Sequence, residues 1–265
     1  MNNEFHAKTL AEIFTTVRGT KVKNYLNFCM DIIEGKGPVY LAGLLGQLDD
    51  DWHDYAVSSI YTLLMPKARR KALGAYFTPP HLTTHLMKRL STAGLDLGEQ
   101  SLLDPAAGGA AFIVPLVNAM IPALRARMVD DKDILSLLRE RLMGREIDPG
   151  LTAIANALVR RSLTQRHGIK VGGAFELIRN GNSLAGPWPS SDVIVANPPY
   201  GKVGAEGQKK WGEAFADITS GQLNLYSLFV RKSLDYVAPG GLLGFVLPIS
   251  FLGSPEFRRF REVVC

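Results

Sequence analysis

Apolar side chains recur at three- and four-residue spacing through the first seventy positions. Leu10, Ile13, Phe14 and Val17 form one stripe, Tyr25, Phe28, Cys29, Ile32 and Ile33 a second, and Trp52, Tyr55, Ala56, Ser59, Ile60 and Leu63 another. The Gly35-Lys36-Gly37-Pro38 break separates the second helix from a third, and Leu48 to Asp51 is the turn before the fourth. No strand pattern occurs there, so residues 1–70 are expected to form a helical domain. Pro66 and the basic run Lys67, Arg69, Arg70 and Lys71 mark a junction, with Arg69, Arg70 and Lys71 read as solvated surface.

Beyond the junction, in 71–265, the period changes. Short apolar runs predict strands at Ser101–Asp104, Leu142–Ile147, Ala174–Ile178, Asp192–Ala196 and Gly241–Leu247. Amphipathic helices are expected near 81–92, 111–141 in two pieces, 150–163, 222–237 and 255–263. Such alternation implies an α/β domain with a doubly wound parallel sheet. Residues 192–196 are almost continuously apolar, as a strand covered on both faces must be. Asp148 is placed to cap the helix that follows, with Pro149 in its first turn.

Composition narrows the class. With 46% hydrophobic and 21% charged residues in 265, the chain can build a core and is not of the disordered type. Two cysteines, Cys29 and Cys265, exclude a disulfide framework or a four-thiolate zinc site, which fits a reducing, cytoplasmic setting. Cys29 falls on an apolar helix face and reads as a core thiol. The longest apolar stretch, Gly241 to Gly253, is too short for a membrane span and contains Pro248. The net charge of +5 is only a weak pointer to a polyanionic partner.

Four segments carry candidate chemistry, each at a strand's carboxyl end, where open α/β sheets bind ligands. In Asp104-Pro105-Ala106-Ala107-Gly108-Gly109-Ala110-Ala111-Phe112, small residues let a ligand approach the backbone, and Asp104 can hold an ammonium or hydroxyl group; a plain tight turn is the alternative. Glu146 stands where a nucleotide-binding sheet presents an acid to ribose hydroxyls. Asn182, in Asn180-Gly181-Asn182-Ser183-Leu184, is either a turn residue or an amide reading an adenine edge. In Asn197-Pro198-Pro199-Tyr200 the prolines remove two donors, so the Asn197 side chain and the Pro198 carbonyl can both accept from a planar amino group while Tyr200 stacks on its ring.

Together with Gly74-Ala75-Tyr76-Phe77-Thr78-Pro79-Pro80, these motifs resemble the N6-adenine DNA methyltransferases, in the order of their gamma group, as in modification subunits of restriction-modification systems. The resemblance covers about residues 70 to 265 and implies a class I, Rossmann-like methyltransferase fold using S-adenosyl-L-methionine on double-stranded DNA. It places Thr78, Asp104, Ala106 and Gly108 at the methionine part of the cofactor, Glu146 at the ribose and Asn182 at the cofactor adenine. It assigns Asn197, Pro198 and Tyr200 to the target adenine; Phe215, in the following glycine-rich loop, is a candidate second stacking face. The family's usual Cys-Gly-Ser-Gly is here Ala107-Gly108-Gly109-Ala110, so one methyl group is added near the cofactor. Two alternatives stay open: a protein-glutamine methyltransferase, which uses the same Asn-Pro-Pro-Tyr grip, and a catalytically silent DNA-binding subunit. Five expected strands, against the seven of the class, lead to the further expectation that the closing hairpin and the specificity domain or subunit lie outside this chain.

Overall fold

A computed structural model describes residues 3–73, 77–218 and 223–264. Gly74, Ala75 and Tyr76 of the first motif, and Cys265, lie outside the described residues. Helices α1 (Asn3–Arg18), α2 (Tyr25–Ile33), α3 (Val39–Leu45) and α4 (Asp50–Leu64) follow the predicted stripes closely. Asn24 and Asp49 cap α2 and α4 by accepting from Asn27 and Trp52 N–H groups, which is why those helices start there. The basic run is itself a short helix, α5 (Lys67–Leu73).

Then come α6 (Pro80–Thr92), β1 (Leu102–Asp104), α7 (Ile113–Ala126), α8 (Asp131–Arg141), β2 (Leu142–Glu146), α9 (Pro149–Gln165), β3 (Ile178–Asn180) and β4 (Ser191–Ala196). The remainder is α10 (Ala205–Trp211), α11 (Leu225–Tyr236), β5 (Val237–Phe245), α12 (Ser250–Gly253) and α13 (Arg258–Val264). The five strands are all parallel, in the order β3-β2-β1-β4-β5. The chain winds outward from β1 through β2 to β3, then returns to β4 on the other side of β1. The crevice between the carboxyl ends of β1 and β4 is therefore the topological switch point.

Successive strand residues divide between the two faces. Leu102, Val193 and Val195 join a core with α7, α9 and the amino-terminal helices, including Ile13, Val57 and Ile60. Leu103 and Ile194 face the other way, onto Phe229 of α11 and Phe260 of α13. Cys29 is fully buried, and burial pushes its thiol up to about 12.

Two strands are displaced from their expected positions. β3 starts at Ile178 rather than Ala174 because Asn156 of α9 captures the backbone first: its Oδ1 accepts from Leu177 and Ile178 N–H, and its Nδ2 donates to the Ile178 carbonyl. The Leu177 and Ile178 N–H groups are thus satisfied by a side chain where the ladder begins. β5 starts early, at Val237, because Val237 pairs with Ser191 before a register shift brings Leu242 opposite Val193.

Candidate active site

The loop after β1 crosses the carboxyl end of β2. Asp104 is wholly buried; its Oδ1 accepts from Ala106 N–H at 2.9 Å, while Oδ2 has no hydrogen-bond partner among the described residues. Burial raises its carboxyl to about 8, with nearby Glu146 adding to the rise and the Ala106 N–H opposing it. Asp104 thus braces the loop from below. Gly109 has a steric duty: a Cβ there would come within 2.2 Å of Ser58 Oγ, the hydroxyl that donates to its own carbonyl. Ala110 takes a left-handed φ of 66° without being glycine, and its methyl is buried on the α4 side rather than in the loop's ligand face.

Glu146 joins the loop to the sheet. Its Oε2 accepts from Gly108 N–H at 2.9 Å and its Oε1 from Asp148 N–H at 2.8 Å. Burial pushes its carboxyl up to about 7, against the lowering pull of those N–H groups, and the Asp148 charge adds to the rise. Each oxygen retains a second lone pair, so the carboxylate can still accept from a ligand hydroxyl.

At the end of β4, Asn197 is held at both ends of its amide. Nδ2 donates to Thr78 Oγ1 at 3.0 Å, and Oδ1 accepts from the Tyr200 hydroxyl at 2.5 Å. That same hydroxyl lies 3.0 Å from the Val246 carbonyl beyond β5. One phenolic proton therefore serves two acceptors, and can rest on Val246 when another donor takes Asn197. Thr78 is buried, Pro198 is buried, and Tyr200 is half-buried with its ring edge-on to Tyr226, centroids 6.2 Å apart.

Ala106, Gly108, Glu146, Asn182 and Asn197 line one cavity of about 240 Å³, together with Phe77 and Trp211. Thr78 borders a small recess continuous in its walls with Ala106, Gly108 and Asn197. The five motif segments therefore converge at the switch point. Asn182 is exposed and closes a turn by accepting from Leu184 N–H at 2.9 Å. Phe215 does not line the cavity; it is buried against Trp211, which takes the wall position instead. A second, apolar cavity of about 200 Å³ lies beyond Phe77, between α4, α6 and α7.

Several contributors carry no sequence motif. Lys232 of α11 is buried and, among the described residues, has no carboxylate partner; its Nζ donates to the Ser183 and Gly186 carbonyls at 2.8 and 2.6 Å and sits over the Trp188 ring. Burial holds its pKa below the ordinary lysine value. It ties down the loop that carries Asn182. On α4, Asp50, Asp54, Ser58 and Tyr61 recur every three or four residues and reach Arg161, Gly109 and Asp148. Arg69, read as solvated surface, in fact pairs with the buried Asp148 carboxylate at 2.5 Å.

The family model described as N-6 DNA Methylase matches residues 53–256. The Type II methyltransferase M.BsuBI of Bacillus subtilis is 25% identical over 193 residues, covering 73% of this chain and 37% of that protein. The chain covers about a third of the length of the curated relatives it matches. Among solved structures, the DrdV complex with DNA superposes with a TM-score of 0.64 at 19% identity, covering 88% of this chain and 26% of that one. A Listeria monocytogenes protein assigned to the class I S-adenosylmethionine-dependent methyltransferases covers 96% of this chain and 78% of its own, with a TM-score of 0.50 at 14% identity. No helix among the described residues is long and apolar enough to cross a membrane. With the match running from α4 to the turn before α13, this chain belongs to the N-6 DNA methylase family.

Proposed function

We propose that this chain carries the catalytic part of an adenine-specific DNA methyltransferase of a restriction-modification type. The reaction would move a methyl group from S-adenosylmethionine to the N6 amino group of an adenine flipped out of double-stranded DNA. The observation that carries this reading is the Asn197 amide, fixed by Thr78 and Tyr200 at the end of β4, on the wall of the cavity that also holds Glu146.

The residues fit the cofactor. Glu146 offers free lone pairs to a ribose, the Asp104 to Gly109 turn presents backbone without side-chain bulk, and Asn182 stands at the cavity's rim. Bound there, S-adenosylmethionine supplies an electrophilic methyl group on a positive sulfur. The chain's own task is to make a poor nucleophile attack it. An adenine amino lone pair is delocalised into its ring, and acceptors that pull on both N–H protons favour the pyramidal form. Asn197 Oδ1 and the Pro198 carbonyl are those acceptors in this proposal. When the amino group donates to Asn197, the Tyr200 hydroxyl turns to Val246, so no buried donor is orphaned. Flipping the base costs a few kcal/mol, which stacking on Tyr200 helps offset. Asn182 and Tyr200 are assigned by their place in the motifs. Sequence recognition is assigned to a specificity domain or subunit other than the segment described.

The test offers labelled S-adenosylmethionine with adenine-containing duplex DNA and, separately, with a translation release factor. Label on the adenine N6 is expected; label confined to protein glutamine would refute the proposal.

A further inference from the structure

The ribose-binding acid is connected to the amino-terminal helices through one buried carboxylate. Asp148 caps α9, its Oδ1 accepting from Gly150 and Leu151 N–H at 2.9 and 3.0 Å. The same Oδ1 accepts from the Tyr61 hydroxyl of α4 at 2.8 Å, and Oδ2 pairs with Arg69 of α5 at 2.5 Å. Asp148's backbone N–H in turn donates to Glu146 Oε1. A cap needs only the two helix N–H groups. The additional Arg69 and Tyr61 contacts are more than capping requires.

The surroundings are built for this contact. Gly150 sits in the first turn of α9, where a Cβ would lie 1.9 Å from the Tyr61 oxygen, so the missing side chain is what lets Tyr61 reach Asp148. Tyr25 of α2 packs against the Tyr61 ring with centroids 5.1 Å apart and accepts from Arg69 at 3.3 Å, holding both partners in place. Asp148's side chain is fully buried. An unpaired carboxylate at that depth is strongly disfavoured and would move or repel its neighbours, and its nearest acidic neighbour in the hydrogen-bond chain is Glu146.

We infer that Arg69 and Tyr61 are positioning residues for cofactor recognition: by neutralising and anchoring Asp148 they fix the place and charge of Glu146. This rests on the reading of Glu146 as the ribose acid. It makes docking of α4 and α5 on the sheet a condition for tight cofactor binding, although among the described residues neither helix lines the Glu146 cavity.

The test uses the full chain and two probes, S-adenosylhomocysteine and its 2′-deoxyribose counterpart, with dissociation constants measured by calorimetry. Wild type should prefer the ribose form. Arg69→Gln should weaken binding of that form about tenfold, the scale of one lost charge-assisted hydrogen bond, while scarcely changing the deoxy form; Arg69→Lys should retain most of the preference. Tyr61→Phe, which keeps the packed ring, should lose part of it and guards against misfolding of the arginine variant. Equal weakening of both probes would show a merely structural role, and no weakening would show no coupling; either overturns the inference. If wild type itself fails to distinguish the probes, the assignment of Glu146 is what has failed, and the inference with it.

Discussion

At the residue scale, the roles proposed for Asn197 and Glu146 rest on separate hydrogen bonds. The Asn197 amide contacts Thr78 and Tyr200, while the Glu146 carboxylate is held by different groups, Gly108 and Asp148. Asn197→Ala should therefore abolish methyl transfer and change the S-adenosylmethionine dissociation constant little; an equal loss of both would show that the amide serves the cofactor. Tyr200 divides differently. Tyr200→Phe keeps the ring and removes one hydroxyl shared between two acceptors, so turnover should fall by about tenfold or less, about 1 kcal/mol. Tyr200→Ala removes the stacking surface as well and should cost about 1 to 3 kcal/mol more in DNA binding. Single-turnover rates and DNA dissociation constants for the two variants check the order.

At the scale of elements, α4 and α9 share one apolar core and are locked together by polar groups as well. Asp54 and Asp50 meet Arg161, and Tyr61 meets Asp148 over Gly150. In an ordinary exposed helix, glycine to alanine gains about 1 kcal/mol. Gly150→Ala should instead lower the unfolding midpoint, because the new Cβ would stand 1.9 Å from the Tyr61 hydroxyl oxygen. In a Tyr61→Ala background the same change should be neutral or stabilising, and a thermal double-mutant cycle measures the reversal. This lock also marks the limit of what the sequence could reveal. Helix stripes, the strand at 192–196 and the motifs around Glu146 and Asn197 are legible because period and turn chemistry are local properties. The contacts of Ser58, Tyr61 and Arg69 span 51, 87 and 79 positions and have no period of their own. Nothing in the run Lys67 to Lys71 distinguishes the one arginine that meets a buried acid. The start of β3 was hidden for the same reason, since Asn156 looks like any polar residue in a helix until its carbonyl partner is known.

At the scale of the whole molecule, two raised acids at the sheet's centre make stability depend on pH. Asp104 rises from 3.8 to about 8 and Glu146 from 4.5 to about 7 on folding. Between the unfolded and folded values the native state binds more protons than the unfolded chain, so stability must fall as pH rises through that window. His167 runs the other way, its pKa lowered by burial from 6.5, but its effect is confined to the lower part of the range. The free protein should accordingly melt at a lower temperature at about pH 8.5 than at about pH 6.5, and Asp104→Asn should reduce that difference. The cofactor should oppose the trend. A positive sulfonium favours ionised acids nearby, and in the proposed site an ionised Glu146 would accept from ribose hydroxyls more strongly than a neutral one. S-adenosylmethionine should therefore raise the melting temperature more at the upper pH than at the lower, and Glu146→Gln should erase most of that pH dependence. Equal protection at both pH values in the wild type would mean that the acids at the carboxyl ends of β1 and β2 do not change protonation when the cofactor binds.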